Sequence, residues 1–200
     1  MPRPADPLAR SKLLSAAREE FARAGLTDAR VEDIARRAGV AKGSFYLHFK
    51  SKDEVFQALL DHFMVEVTRF NSACQPGLET CGTVDDVRDY FLDHDKQMLE
   101  FLWSNRDILA IFYQAGASPQ YQPMLDAFLD AQAAIATVQI RELQARGFYK
   151  ADLDAQVVAI CIVGAYHALT RHLVQSRTKP DLAAAAATVV SLNLDGMILR

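Results

Sequence analysis

The chain has 200 residues, of which 50 % are hydrophobic and 24 % charged, and its formal net charge is −3. This is the make-up of a globular protein with material for a sizeable core. The charge is unevenly spread: residues 1–52 hold eleven Lys or Arg against six Asp or Glu, and the remainder holds eleven against nineteen. A basic head on an acidic body points the head toward an anionic partner.

No apolar run opens the sequence, so no secretory signal is expected and the cytoplasm is the expected location. The longest apolar stretch, around Val157–Leu169, is interrupted near its end by His167. It falls short of the roughly 18–20 residues that span a bilayer, so it reads as a buried helix and no membrane partner is expected. Cys74, Cys81 and Cys161 form no C-x-x-C and leave an odd thiol under any pairing. They read as reduced, small apolar residues, with redox sensing by Cys74 and Cys81 as the alternative.

Helical periodicity runs the length of the chain, and the expected fold class is all-α with about nine helices. The first helix is expected over Leu8–Ala24, with Leu14, Ala17, Phe21 and Ala24 on one face and Gly25 as its stop. A second covers about Val31–Ala38 with Ile34 and Ala38 inward, and Lys42–His48 makes a third. Ser51 with Glu54 three residues later is a capping box for a long fourth helix reaching about Ala73, its apolar side formed by Val55, Leu59, Phe63, Val67 and Phe70. A breaker-rich loop is expected from Gln75 to Gly82. Further helices follow at about Val84–Trp103, Arg106–Gln114, Gln120–Arg146, Leu153–Ser176 and Leu182–Leu199. Turn residues separate them, including the run Gly116 to Pro119.

The segment Val31–Phe49, VEDIARRAGVAKGSFYLHF, has the spacing of a helix-turn-helix. Small Ala35 permits close helix approach, Ile34 and Val40 fill the wedge, and Gly39 sits where the turn requires a positive φ. In this geometry the helix starting near Lys42 enters the major groove of duplex DNA. Lys42 and Ser44 can reach base edges and Leu47 can meet a thymine methyl.

Ile34-Ala35, Ala38-Gly39-Val40, Gly43-Ser44-Phe45-Tyr46, His48-Phe49 and Lys52 resemble the DNA-binding signature of the TetR family of regulators, over about Leu8–Leu60. The resemblance implies phosphate contacts from Tyr46, His48 and Lys52, which fix register without reading sequence. Two positions depart from the family pattern. Arg30 stands where a capping Ser or Thr is usual, although a guanidinium also binds phosphate, and Ala41 stands where the next helix usually has its cap.

The expected domains are a helix-turn-helix over residues 1–50 and an effector-binding and dimerisation domain over 51–200, with a linking helix at about 52–73. On the last two helices, Val157, Cys161, Gly164 and Ala168, and Ala186, Val190, Leu194 and Met197, recur at helical spacing. They are read as the faces of a four-helix homodimer interface. The resemblance implies an effector pocket between head and interface, where Phe63, Val67, Phe70, Trp103, Phe112, Tyr113, Phe128, Tyr166 and His167 are the candidates. An apolar, aromatic cavity suits a lipophilic or flat effector. The function expected is a ligand-responsive repressor on a palindromic operator; the alternative is a helical interaction module with a vestigial head. No P-loop, H-E-x-x-H or G-x-S-x-G occurs. The histidines are scattered, and Asp85, Asp86, Asp89 and Asp93 read as a solvated helix face. No catalytic residue, metal or cofactor is expected.

Overall fold

The computed structural model describes residues 7–115 and 121–197, in which ten helices and no strand are found. They are α1 (Pro7–Asp28), α2 (Val31–Arg37), α3 (Lys42–Tyr46), α4 (Lys52–Ser72), α5 (Cys74–Thr80), α6 (Val84–Ser104), α7 (Arg106–Ala115), α8 (Gln122–Ala145), α9 (Ala155–Gln175) and α10 (Leu182–Met197). The expected break at Gly116–Pro119, the start of α8 at Gln120 and the end of α10 at Leu199 lie outside the described residues.

Two compact units divide the chain differently from the expected boundary at residue 50. The first runs as far as Val65 and takes in 107–115; the second contains Glu66–Arg106 and the described residues from 121 on. Two helices, α4 and α7, therefore contribute residues to both.

In the first unit, α1 departs from helical geometry at Gly25 (φ 74, ψ 166), so the expected stop is a kink followed by one more turn to Asp28. Its buried side is centred on Leu13, Ala16, Ala17 and Phe21, with Leu14 and Ala24 half-buried. Phe21 meets Phe56 of α4 edge-on at 5.9 Å. Glu20, 1 % exposed, is a buried carboxylate held by Arg23 (2.5 Å) and by Arg37 of α2 (3.4 Å). The hydrogen bond from Arg23, more than the charge of Arg37, holds its carboxyl below the usual range, so it remains an anion that pins α2 to α1. Arg18 and Asp107 form a bidentate pair, both bonds 2.6 Å, which binds α7 to α1. At the start of α4, Ser51 Oγ accepts the Glu54 N–H at 3.2 Å, while the Glu54 carboxylate reaches back to the Lys50 N–H rather than to that of Ser51.

In the second unit, the segment expected as a loop from Gln75 contains α5. Pro76 and Gly77 fall in its first turn, where the N–H groups have no intrahelical partner to lose. The far end is closed by Arg146, which donates to Leu78 O at 2.6 Å and to Cys81 O while its guanidinium lies over Phe148 at 4.9 Å. α6 begins with a capping box in which Thr83 Oγ1 accepts the Asp86 N–H and Asp86 accepts that of Thr83. Cys74 and Cys81 are buried in the core shared by α5, α6, α8, α9 and α10; Cys161 is exposed, and all three are free thiols.

The expectation that the apolar stretch near Val157 is too short for a membrane needs correction. α9 runs on through Arg171 to Gln175, and at 21 residues it is long and apolar enough to cross a bilayer by length and composition. Only 17 % of its most apolar stretch is buried within the chain, so within the single chain it is not the buried helix expected.

The turn between α2 and α3 depends on Gly39, whose φ is 69. A Cβ there would meet nothing within 4 Å, so any cost of replacement is in the backbone alone. Gly39→Ala should destabilise the protein by about 1–2 kcal/mol, and Gly39→Asn should recover part of it because Asn tolerates this conformation. Urea denaturation of the three proteins checks this; equal midpoints would show that the turn does not require glycine.

Candidate nucleic-acid interface

The helix-turn-helix is built around Ile34 (0 % exposed), Ala35 (1 %) and Phe45 (0 %), with Phe49 (3 %) closing the bottom. Val40 N–H donates to Ala35 O at 3.0 Å and Gly39 N–H to Arg36 O at 3.1 Å, which folds the turn back on α2. Val40 is only half-buried in the wedge. Arg30 and Ala41 occupy the N-cap positions of α2 and α3, and neither helix has a side-chain cap bond.

Seen from α3 outward, Lys42, Tyr46 (53 % exposed) and Leu47 (60 %) are on the surface, with Ser44 half-buried beside them. Tyr46 is steadied by Phe45, edge-on at 5.4 Å. α3 stops at Tyr46, so Leu47 and His48 stand in the following turn instead of extending the helix. Lys42 forms an ion pair with Glu32 of α2. That pairing raises Lys42 above and lowers Glu32 below its ordinary value, so both remain charged.

Two of the expected phosphate contacts sit differently. His48 buries its Nε2, which has no hydrogen-bond partner among the described residues, so that nitrogen is turned away from any ligand on the surface. Lys52 is half-buried, and its ammonium donates to Thr27 O at 2.5 Å and Ala29 O at 3.1 Å. Two of its three donors thus satisfy carbonyls left open after α1, a placement that helix ends favour for a cation.

The nine effector candidates fall in both units. Phe63, Phe112 and Tyr113 belong to the first unit; Val67, Phe70, Trp103, Phe128, Tyr166 and His167 belong to the second. Phe63, Val67, Trp103 and Phe112 are buried and the others half-buried. Trp103 carries the Arg106 guanidinium over its ring at 4.5 Å. Burial, reinforced by the charge of Arg171, lowers His167 below its ordinary value and favours the neutral ring. Phe70 and Tyr166 do converge, on a polar centre absent from the expected set. The His94 ring lies 4.7 Å from Phe70, and its Nδ1 is 3.1 Å from Asp95 Oδ1. The Tyr166 hydroxyl donates to Asp95 Oδ2. One sequence signal was available: Asp95 falls on the inward stripe of α6 with Val87, Met98, Leu99 and Leu102, where a carboxylate is out of place unless paired. Asp85, Asp86, Asp89 and Asp93 are exposed, as a solvated face requires.

The interface candidates split as well. Val157 (56 % exposed), Cys161, Gly164 and Ala168 form an exposed side of α9, joined by Ile160 (55 %). Ala186, Val190, Leu194 and Met197 are 1–7 % exposed because they pack into their own chain, so they are removed from any surface for a second copy. The outward side of α10 carries Ala184, Thr188 and Leu192 (75 % exposed) instead.

Residues 13–59 match the family described as bacterial regulatory proteins, tetR family. An uncharacterized HTH-type transcriptional regulator of Bacillus subtilis, YdgC, is 31 % identical over 94 % of this chain and 92 % of its own length. The HTH-type regulator SrpR of Pseudomonas putida is 47 % identical over 26 % of the chain and 24 % of its own. Among solved structures, FadR of Bacillus subtilis in complex with stearoyl-CoA superposes with a TM-score of 0.72 at 23 % identity, covering 93 % of this chain and 98 % of that one. A regulator of Mesorhizobium loti gives 0.71 at 18 % identity, covering 96 % and 97 %.

His94 also supplies a pH signature. Burial alone would lower its pKa, but the hydrogen bond to Asp95, helped by Cys74, outweighs it and raises the value to about 9. Below the unfolded value near 6.5 both states hold the proton and the stabilisation is complete; it declines as pH rises and is lost through about 9. The contribution is on the order of 2–3 kcal/mol at most. His94→Gln should flatten the stability profile between pH 6.5 and 9, and parallel slopes for the two proteins would remove His94 from the account.

Proposed function

The chain belongs to the TetR family of bacterial regulatory proteins, a family of DNA-binding transcriptional regulators, and on that premise we propose that it is a cytoplasmic, ligand-responsive repressor that binds a palindromic operator as a homodimer. The observation that carries this reading is the outward row on and beside α3, where Lys42, Tyr46 and Leu47 are exposed while Phe45 anchors the helix from behind. Lys42 and Ser44 read base edges, Leu47 takes an apolar contact, and Arg30, Tyr46 and the remaining capacity of His48 and Lys52 hold phosphates. Residues 1–50 serve DNA and 51–200 serve pairing and effector, with α4 as the link.

Pairing uses the exposed side of α9 and the outward side of α10. Val157, Ile160 and Leu192 are large apolar groups in contact with water, and small Gly164 and Ala168 between them admit a close helix. The effector is small and lipophilic or aromatic. Support comes from the aromatic make-up of the second unit and from the stearoyl-CoA of the Bacillus subtilis FadR complex. Effector binding shifts α4 and changes the spacing of the two recognition helices, breaking register with two half-sites. Such coupling is typically about 1–3 kcal/mol and is reciprocal.

Selection from random duplexes should recover a palindrome, and Ile160→Glu should leave a monomer that binds it poorly. A protein that selects no sequence would be the interaction module with a vestigial head. Glu32→Gln should release Lys42 to a phosphate or base, tightening binding by about two- to fivefold at low salt and steepening the salt dependence by about one counterion. Mobility shifts across salt concentrations measure both, and an unchanged slope would show that Lys42 does not reach DNA.

A further inference from the structure

We propose that His94 is the polar anchor of the effector site and that its ligand is an apolar molecule bearing one uncharged acceptor oxygen, such as a ketone, ester or thioester carbonyl. This rests on the reading of the second unit as effector-binding, and it adds where the ligand is held and by which chemistry.

His94 Nε2 is fully buried and makes no hydrogen bond of ordinary geometry among the described residues, although the Cys74 thiol is close enough to help hold the ring protonated. A buried polar atom of this kind is rare in folded proteins and calls for an explanation. The other side of the ring is fully specified. Nδ1 faces Asp95 Oδ1 at 3.1 Å, and Tyr166 occupies Oδ2, so Asp95 fixes the ring's orientation and leaves Nε2 as the group that points away. Burial and the Asp95 carboxylate hold the Tyr166 phenol far above its ordinary pKa, so it stays a donor to Asp95. The imidazolium form that Asp95 favours makes Nε2–H a strong donor.

The surroundings select the rest of the ligand. Phe70 lies 4.7 Å from the ring, Tyr90 stacks on it at 6.2 Å and Phe91 meets it edge-on at 6.5 Å. A molecule reaching Nε2 therefore has an apolar or flat skeleton. The charge balance selects the acceptor. Asp95 already neutralises the ring, and a ligand carboxylate would add an unbalanced buried charge, whereas a carbonyl oxygen adds none. Tyr90 also suggests the approach. Besides stacking on His94, it lines an open depression of about 450 Å³ with Gly77, Thr80, Cys81, Asp86 and Asp89, so this one side chain touches both the depression and the ring.

The test uses the full-length protein and its single tryptophan, Trp103, as reporter. Three probes of matched size are titrated: 4-phenyl-2-butanone, 3-phenylpropionate and butylbenzene. The ketone should bind about tenfold tighter than the hydrocarbon, the factor expected of one charge-assisted hydrogen bond, and tighter than the carboxylate. His94→Leu should bring the ketone down to the hydrocarbon and leave the hydrocarbon unchanged. Should that variant fail to fold, nitrogen NMR of the wild-type ring serves instead: the ketone should move the Nε2 resonance and spare Nδ1. A ketone no tighter than the hydrocarbon, a preference that survives His94→Leu, an unmoved Nε2 resonance or tightest binding of the carboxylate would each overturn the proposal. Operator release is read separately. A ketone that binds through His94 without weakening the operator complex keeps the anchor and removes the effector role, and release by a compound indifferent to His94 does the reverse.

Discussion

A helix of five residues has too few internal hydrogen bonds to hold itself, and α3 has neither a side-chain cap nor an acidic first turn to help it. Its conformation is imposed from outside by Phe45, which is wholly buried, by Phe49 beneath it, and by the left-handed turn at Gly39. Those groups in turn need α2 fixed against α1, which the Glu20 carboxylate accomplishes through Arg23 and Arg37. The exposed side chains on and beside α3 carry little of that load. Lys42 pairs with the exposed Glu32, and Tyr46 and Leu47 face outward, so they can be chosen for what they touch.

The second unit handles buried polarity in two ways. At the end of α4, Asn71 donates to Gln132 at 2.7 Å, Gln132 donates to Thr68 at 2.9 Å, and Gln139 donates to Asn71 O at 3.0 Å. Each amide there has its partner, so the network joins α4 to α8 without an outstanding cost. Around His94 the network is closed on the Asp95 side and open at Nε2. A unit that satisfies its amides so fully elsewhere makes the open nitrogen informative, since an apolar side chain in the place of His94 and Asp95 would pack with no such penalty.

The head was legible in the sequence because its rules are local. The apolar spacing, the glycine at the turn and the aromatic plugs at Phe45 and Phe49 act over a few residues, and the resemblance to regulators of known type rested on the same positions. The partners of Lys52, the carbonyls of Thr27 and Ala29, were not legible, because they become neighbours only after α1 and α4 have come together. The missed helix α5 has a similar origin: Pro76 and Gly77 are breakers in a helix interior but not in a first turn, and the Arg146 that closes its end is far away in sequence. Asp95 was legible as a misfit on an apolar stripe, but its partner Tyr166 lies on α9 and could be paired with it only in three dimensions.

The division of α10 and α9 into inner and outer sides follows from composition. A helix apolar on every side needs two surfaces to bury against. α9 presents Ala155, Ala159, Thr170 and Leu173 to its own chain and leaves Val157, Ile160 and Cys161 outward, which is why it has the length and apolarity of a membrane helix while little of it is buried. α10 commits its larger side chains, Val190, Leu194 and Met197, to its own core and keeps mostly small ones outward, apart from Leu192. A lipid surface would gain nothing from Gly164 and Ala168, which offer little area, whereas a second helix gains close approach from them. The small residues, more than the apolar ones, therefore argue for a protein partner, and a second copy of the chain answers that need while delivering a second α3 to the same duplex.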